Sequence, residues 1–113
     1  MLKIEQPNPV LDPVAWFAGN SDGRAHPVGT KAPNSWGLAD LLGNVNEWVW
    51  DLHGPFESGP AIDPIGARSG WDRVIRGGSW ESPGRSCRSA YRGSYAPDAR
   101  HPSLGFRPVR TFR

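Results

Sequence analysis

The sequence predicts one loop-rich domain in which short strands and irregular turns, rather than long helices, wrap around aromatic side chains. Three observations lead there. Tryptophan repeatedly stands beside glycine: Trp36-Gly37-Leu38 runs into Gly43-Asn44-Val45-Asn46-Glu47-Trp48, and Arg76-Gly77-Gly78-Ser79-Trp80 is answered by Gly105-Phe106-Arg107. Glycine permits positive φ and close backbone approach, while tryptophan supplies large area to bury and one N–H that needs a partner. The 14 glycines and 12 prolines punctuate the whole chain, yet 6 Trp, 4 Phe and 2 Tyr argue for a folded core over disorder. A length of 113 residues suffices for one core and not for two, so residues 1–113 are read as a single domain.

The elements follow in chain order. Residues 1–14 read as an N-terminal arm, because Pro7, Pro9 and Pro13 break any helix there, and Gly19-Asn20-Ser21-Asp22-Gly23 is dense turn chemistry. Trp16 and Phe17 are the expected anchors between them. Asp40-Leu41-Leu42 is expected to form one helical turn, capped by Asn34 or Ser35 and ended by Gly43, and Val45 to Asp51 alternates as a strand does. From His53 to Gly70, three prolines and four glycines without periodicity predict a surface loop. Arg73-Val74-Ile75-Arg76 reads as a short strand entering Gly77-Gly78, where a bulge or tight backbone packing is expected. Cys87 to Tyr91 and Leu104 to Val109 are the last strand candidates.

Charge and composition exclude several classes. The net charge of +2 comes from interleaved signs with no run of one sign, so a nucleic-acid partner is not expected. No stretch approaches the roughly 20 apolar residues that span a bilayer, and Met1 to Glu5 lacks the apolar segment of a secretory leader. A membrane partner is not expected, and a soluble, cytoplasmic protein is the default. The single cysteine, Cys87, excludes a disulfide or a thiolate cluster within one chain.

Three constellations bear on chemistry. Asp40, Asn44 and Glu47 surround a glycine turn, and a hard cation such as calcium takes six to eight oxygens, which two carboxylates and turn carbonyls help to supply. The plainer alternative is that Asp40 caps a turn and Glu47 pairs with an arginine. Cys87 lies between Arg85 and Arg88, which favours a nucleophilic or metal-binding thiolate; against it stands the common fate of a lone cysteine, burial as a small hydrophobe. The eight arginines from Arg73 to Arg110 stand among aromatic residues, either as a binding face or as ties onto carbonyls and acids.

Taken together, Pro33-Asn34-Ser35-Trp36-Gly37-Leu38, Asp40-Leu41-Leu42-Gly43-Asn44-Val45-Asn46-Glu47-Trp48, Arg73 to Trp80, Cys87 to Arg92 and Leu104-Gly105-Phe106-Arg107 resemble the signature of the formylglycine-generating enzymes, also called sulfatase-modifying factors. The likeness spreads over Trp16 to Arg110 and matches the C-terminal part of a typical member. It implies an α+β fold, a variant of the C-type lectin type, low in regular structure, with twisted antiparallel strands, short helices and long loops. It also implies a structural calcium held by the side chains of Asp40 and Glu47 and the carbonyls of Gly43 and Val45. The family's copper(I) site uses two cysteines. Here the later position is Cys87 and the earlier is Ser82, whose hydroxyl is a poor ligand for a soft ion, so copper is not expected.

Three functions are therefore weighed. The first is a catalytically silent, cation-stabilised module that binds a small ligand or a protein. The second is a protein-modifying oxidoreductase with Cys87 as catalytic thiolate. The third is a variable binding protein of a diversity-generating retroelement, whose variable sites are often asparagine; the stretch from Trp80 to Phe106 contains none. A domain this short leaves part of its aromatic surface to be buried by self-association, so a homo-oligomer is expected.

Overall fold

Asn46-Glu47-Trp48-Val49-Trp50-Asp51-Leu52, with aromatic and branched residues that strands favour at its centre, makes the longest strand of the molecule, β1 (Asn46–Leu52). The structure is a computed structural model and describes residues 8–54, 66–67 and 69–110. Three shorter strands join β1: β2 (Arg73–Arg76), β3 (Gly93–Tyr95) and β4 (Leu104–Gly105). They form one sheet in the order β3-β2-β1-β4. β2 runs antiparallel to β1, with Glu47 opposite Arg76 and Trp48 opposite Ile75, and the register slips before Leu52 meets Arg73. β3 is antiparallel to β2, whereas β4 lies parallel to the start of β1, with Asn46 opposite Leu104 and Glu47 opposite Gly105. That last pairing brings the C-terminal Gly-Phe-Arg block beside Glu47.

Burial divides into two small centres. Val74 and Ile75, the middle of β2, are buried, one toward each face of the sheet. Leu11, Ala15, Phe17 and Cys87 form the second centre, with Val14 and Leu42 packed against it. Asn8 starts the first of these segments: its Oδ1 accepts the N–H groups of Val10 and Leu11 at 3.2 and 3.0 Å, and the chain then winds so that Leu11 and Ala15 point inward. The described part of the expected arm thus carries core residues.

Several expected elements take another form. The helical turn at Asp40-Leu41-Leu42 is absent, because Asp40 sits at φ +57°, in the left-handed region that a right-handed helix cannot use. Asn34 does cap, but it caps a tight turn: its Oδ1 accepts the N–H groups of Trp36 and Leu38 at 2.9 and 3.0 Å. Among the described residues the helical content is one 3-10 turn, Gly84–Ser86, so the α component expected of an α+β fold is nearly absent. Cys87 to Tyr91 follows that turn as a loop, and the strand lies beyond it, in β3. β4 stops at Gly105 instead of reaching Val109, and Pro108, without an N–H, cannot extend the ladder. The aromatic core is also smaller than expected: Phe17 is fully buried, but Trp36, Trp50 and Trp71 are each more than 80% exposed. Four short strands do not enclose enough volume for six indoles. The loop expected over His53 to Gly70 lies mostly outside the described residues.

Candidate functional site

The segment from Asn34 to Glu47 is shaped by four residues with positive φ: Gly37 at +79°, Asp40 at +57°, Gly43 at +77° and Asn44 at +65°. Asp and Asn tolerate this region better than other side chains do. Gly43 has a stricter reason, since a Cβ there would run into the backbone of Trp16, with which Gly43 forms a parallel bridge. Asn44 then acts as the hub of the segment. Its side chain accepts from the His26 N–H at 2.9 Å and donates to the His26 carbonyl at 3.1 Å, its N–H donates to the Trp16 carbonyl at 2.7 Å, and its carbonyl accepts from the Trp80 N–H at 2.8 Å. These four bonds knit the two glycine-and-tryptophan blocks to the N-terminal turns, which is a structural role for a residue otherwise suited to bind a cation.

The two acids differ in how they are satisfied. Asp40 is 7% exposed; its Oδ2 accepts the Gly29 N–H at 2.7 Å, while its Oδ1 is buried and has no hydrogen-bond partner among the described residues. Glu47 is met by the fork of Arg107, with Nε to Oε1 at 2.9 Å and Nη2 to Oε2 at 3.1 Å. The plainer alternative for Glu47, a pair with an arginine, is what the geometry contains. Arg107 Nη2 also donates to the carbonyls of Ala39 and Asp40 at 2.8 and 3.1 Å. The hydrogen bond to Glu47, opposed by partial burial and aided by the charges of Glu47 and Asp40, raises the Arg107 pKa above its ordinary value, so the guanidinium keeps its charge throughout the working pH range.

Asp40, Val45 and Glu47 line one cleft of about 420 Å³, whose walls include Val28, Leu38, Phe106 and Pro108. Its size falls in the range of small-molecule sites. Gly43, the fourth expected ligand position, is not among the residues lining it and abuts Trp16. The structure thus gathers three of the four expected positions on one wall and adds Arg107. In the sequence Arg107 stands out through the Gly-Phe-Arg block, which does not by itself assign it to this cleft. Among the described residues, no three His, Cys, Asp or Glu side chains converge to hold a metal, so any ion here would depend on backbone carbonyls as well.

The second glycine-and-tryptophan block leads to a different environment. Ser79 is fully buried; its N–H donates to the Ser82 hydroxyl at 2.9 Å, and the two hydroxyls lie 3.2 Å apart. Cys87 is 4% exposed in the cluster with Leu11, Ala15 and Phe17, and a Cβ on Gly78 would come within 2.7 Å of its sulfur. Arg85 and Arg88, its neighbours in sequence, both lie on the surface. Cys87 is therefore packed as a small hydrophobe in the core, not presented to a substrate chain. Ser103, His101 and Glu81 resemble the parts of a nucleophilic triad. However, the serine hydroxyl (2.6 Å) and the carboxylate (3.8 Å) approach the same ring nitrogen, Nδ1, and Ser103 is fully buried, so the relay of a triad is not assembled.

Comparison with known proteins agrees with this arrangement of blocks. The family model of the sulfatase-modifying factor enzyme 1-like domain matches residues 8–112. The formylglycine-generating enzyme of Streptomyces coelicolor is 41% identical over 86 residues, covering 72% of this chain and 27% of the enzyme. Among solved structures, Treponema denticola variable protein 1 superimposes with a TM-score of 0.79 at 39% identity, over 84% of this chain and 35% of that protein. PvdO from Pseudomonas aeruginosa gives a TM-score of 0.69 at 33% identity, over 85% of this chain and 38% of PvdO. The chain thus spans between a quarter and two fifths of the length of these relatives.

Proposed function

The chain belongs to the sulfatase-modifying factor family, and from that premise we propose that it is a ligand- or protein-binding module stabilised by calcium and without copper-dependent formylglycine generation. Its scaffold is then the family's C-type lectin-like variant, reduced here to a small sheet and its loops. The observation that carries this reading is the lone Oδ1 of Asp40. A buried carboxylate oxygen without a donor is costly, and a cation is the partner that removes the cost. Asp40 and Glu47 would hold calcium with their side chains, and Gly43 and Val45 with their carbonyls. The ion supplies charge neutralisation for the turn. The protein supplies the apolar walls of the cleft, which seat the ligand, and the Asn44 hub that keeps the turn in shape.

Loss of catalysis rests on chemistry that the sequence itself carries. Copper(I) prefers thiolate ligands, and Ser82 stands at the position that the resemblance gives to the first of the two. Cys87, the remaining thiol, is packed in the core. A second reading, a variable binding protein, draws on the likeness to Treponema denticola variable protein 1; the lack of asparagine between Trp80 and Phe106 favours the first.

Two measurements test the proposal. Calcium is expected to raise the melting temperature and a chelator to lower it, and a melting temperature that ignores both removes the cation from the reading. With copper(I) and a cysteine-containing peptide, no oxygen uptake above the peptide-free rate is expected. Sustained peptide-dependent uptake that is lost in Cys87→Ser would replace the binding module with an oxidoreductase.

A further inference from the structure

Glu47 and Asp40 are close in sequence but unequal in partners. Both oxygens of Glu47 are engaged by Arg107, and the same guanidinium reaches the carbonyls of Ala39 and Asp40, whereas Asp40 Oδ1 has no partner among the described residues. Arg107 arrives from the chain just after β4, some 60 residues beyond Glu47, so the contact is tertiary and not a feature of the local turn. Its planar fork fits a carboxylate and two backbone oxygens at once, which an ammonium group cannot reproduce. One permanent positive charge therefore already neutralises part of the acidic turn and ties three of its residues to the chain that follows β4.

We propose that Arg107 is a resident cation of the Asp40–Glu47 turn, holding the turn folded when calcium is absent and limiting how tightly calcium binds when it is present. This rests on the cation reading given above. An arriving ion shares Glu47 with a guanidinium of like sign, and the repulsion weakens its binding. Asp40 Oδ1, which Arg107 does not touch, is the donor left for the ion. The turn is thus set for a moderate, exchangeable affinity, with Arg107 and calcium stabilising it in competition.

The test compares wild type with Arg107→Gln and Arg107→Lys by thermal melting in chelator and in calcium, and by calorimetric calcium titration. In chelator both variants are expected to melt about 4–8 °C lower, as the loss of a modest tie does in a domain of this size. Calcium is expected to bind Arg107→Gln on the order of tenfold more tightly than wild type, and Arg107→Lys, which keeps the charge, about as wild type does. If Arg107→Gln is unfolded in chelator, the proposal requires calcium to restore its fold, and a chain unfolded in both buffers counts against it. Unchanged or weaker calcium binding in Arg107→Gln, with wild type still responding to calcium, overturns the role of Arg107 alone. A wild-type protein that ignores calcium overturns the cation reading and this proposal with it.

Discussion

At the scale of single residues, the site depends on backbone conformations that few side chains accept. Gly37 and Gly43 have nearly the same positive φ, +79° and +77°, but a Cβ on Gly37 meets open space whereas one on Gly43 meets the Trp16 backbone. Placing alanine at Gly37 is therefore expected to cost about 1 kcal/mol, the conformational penalty alone. At Gly43 the same change adds a clash with atoms that cannot move without breaking the Asn44 N–H to Trp16 carbonyl bond, and about 2–4 kcal/mol is expected. Denaturant melts of Gly37→Ala and Gly43→Ala measure the difference directly. Equal losses in the two variants would show that crowding at Trp16 contributes nothing and that the turn is more adaptable than its bridge implies.

At the scale of elements, what the sequence made legible was what neighbouring residues decide. β2 is readable as Arg73–Arg76 because two branched apolar residues flanked by arginines precede a glycine pair, and β1 because Trp48-Val49-Trp50 are residues that strands favour. The Asp40 turn is not the helical turn its sequence suggests because its conformation is set from afar: Gly29 bonds the Asp40 carboxylate and Arg107 bonds the Asp40 carbonyl. β3 is not legible in the sequence for a related reason. Gly-Ser-Tyr has no strand pattern of its own, and Gly93 is used because a Cβ there would sit 3.1 Å from the Ile75 side chain across the sheet. The stretch from Cys87 to Tyr91 is a loop and not a strand because Arg76 holds the carbonyls of Ser89 and Tyr91 at 3.2 Å. The candidate site shows the same division: Asp40 and Glu47 are legible from their spacing and Val45 only from the family resemblance, while the pairing of Arg107 with Glu47 requires the parallel contact of β4 with β1.

At the scale of the whole molecule, several large apolar side chains stand exposed around one opening. Val28, Trp36 and Phe106 are each about four-fifths exposed, and Leu38 is two-fifths exposed; Val28, Leu38 and Phe106 border the cleft, and Trp36 adjoins its Gly37-Leu38 edge. Isolated exposed side chains need no explanation, but apolar residues gathered around one opening mark an interaction face. The polypeptide of 113 residues is therefore expected to self-associate through the rim of this cleft. Light scattering should give a mass of at least two chains. Replacing Trp36 and Phe106 together with serine should shift it to one chain while leaving the melting temperature within a few degrees, because neither side chain packs in the core. A monomer mass for the unmodified protein at micromolar concentration would instead leave the rim open to a different partner. A doubly substituted protein that stays oligomeric would move the interface away from the cleft, toward the exposed Trp50 and Trp71.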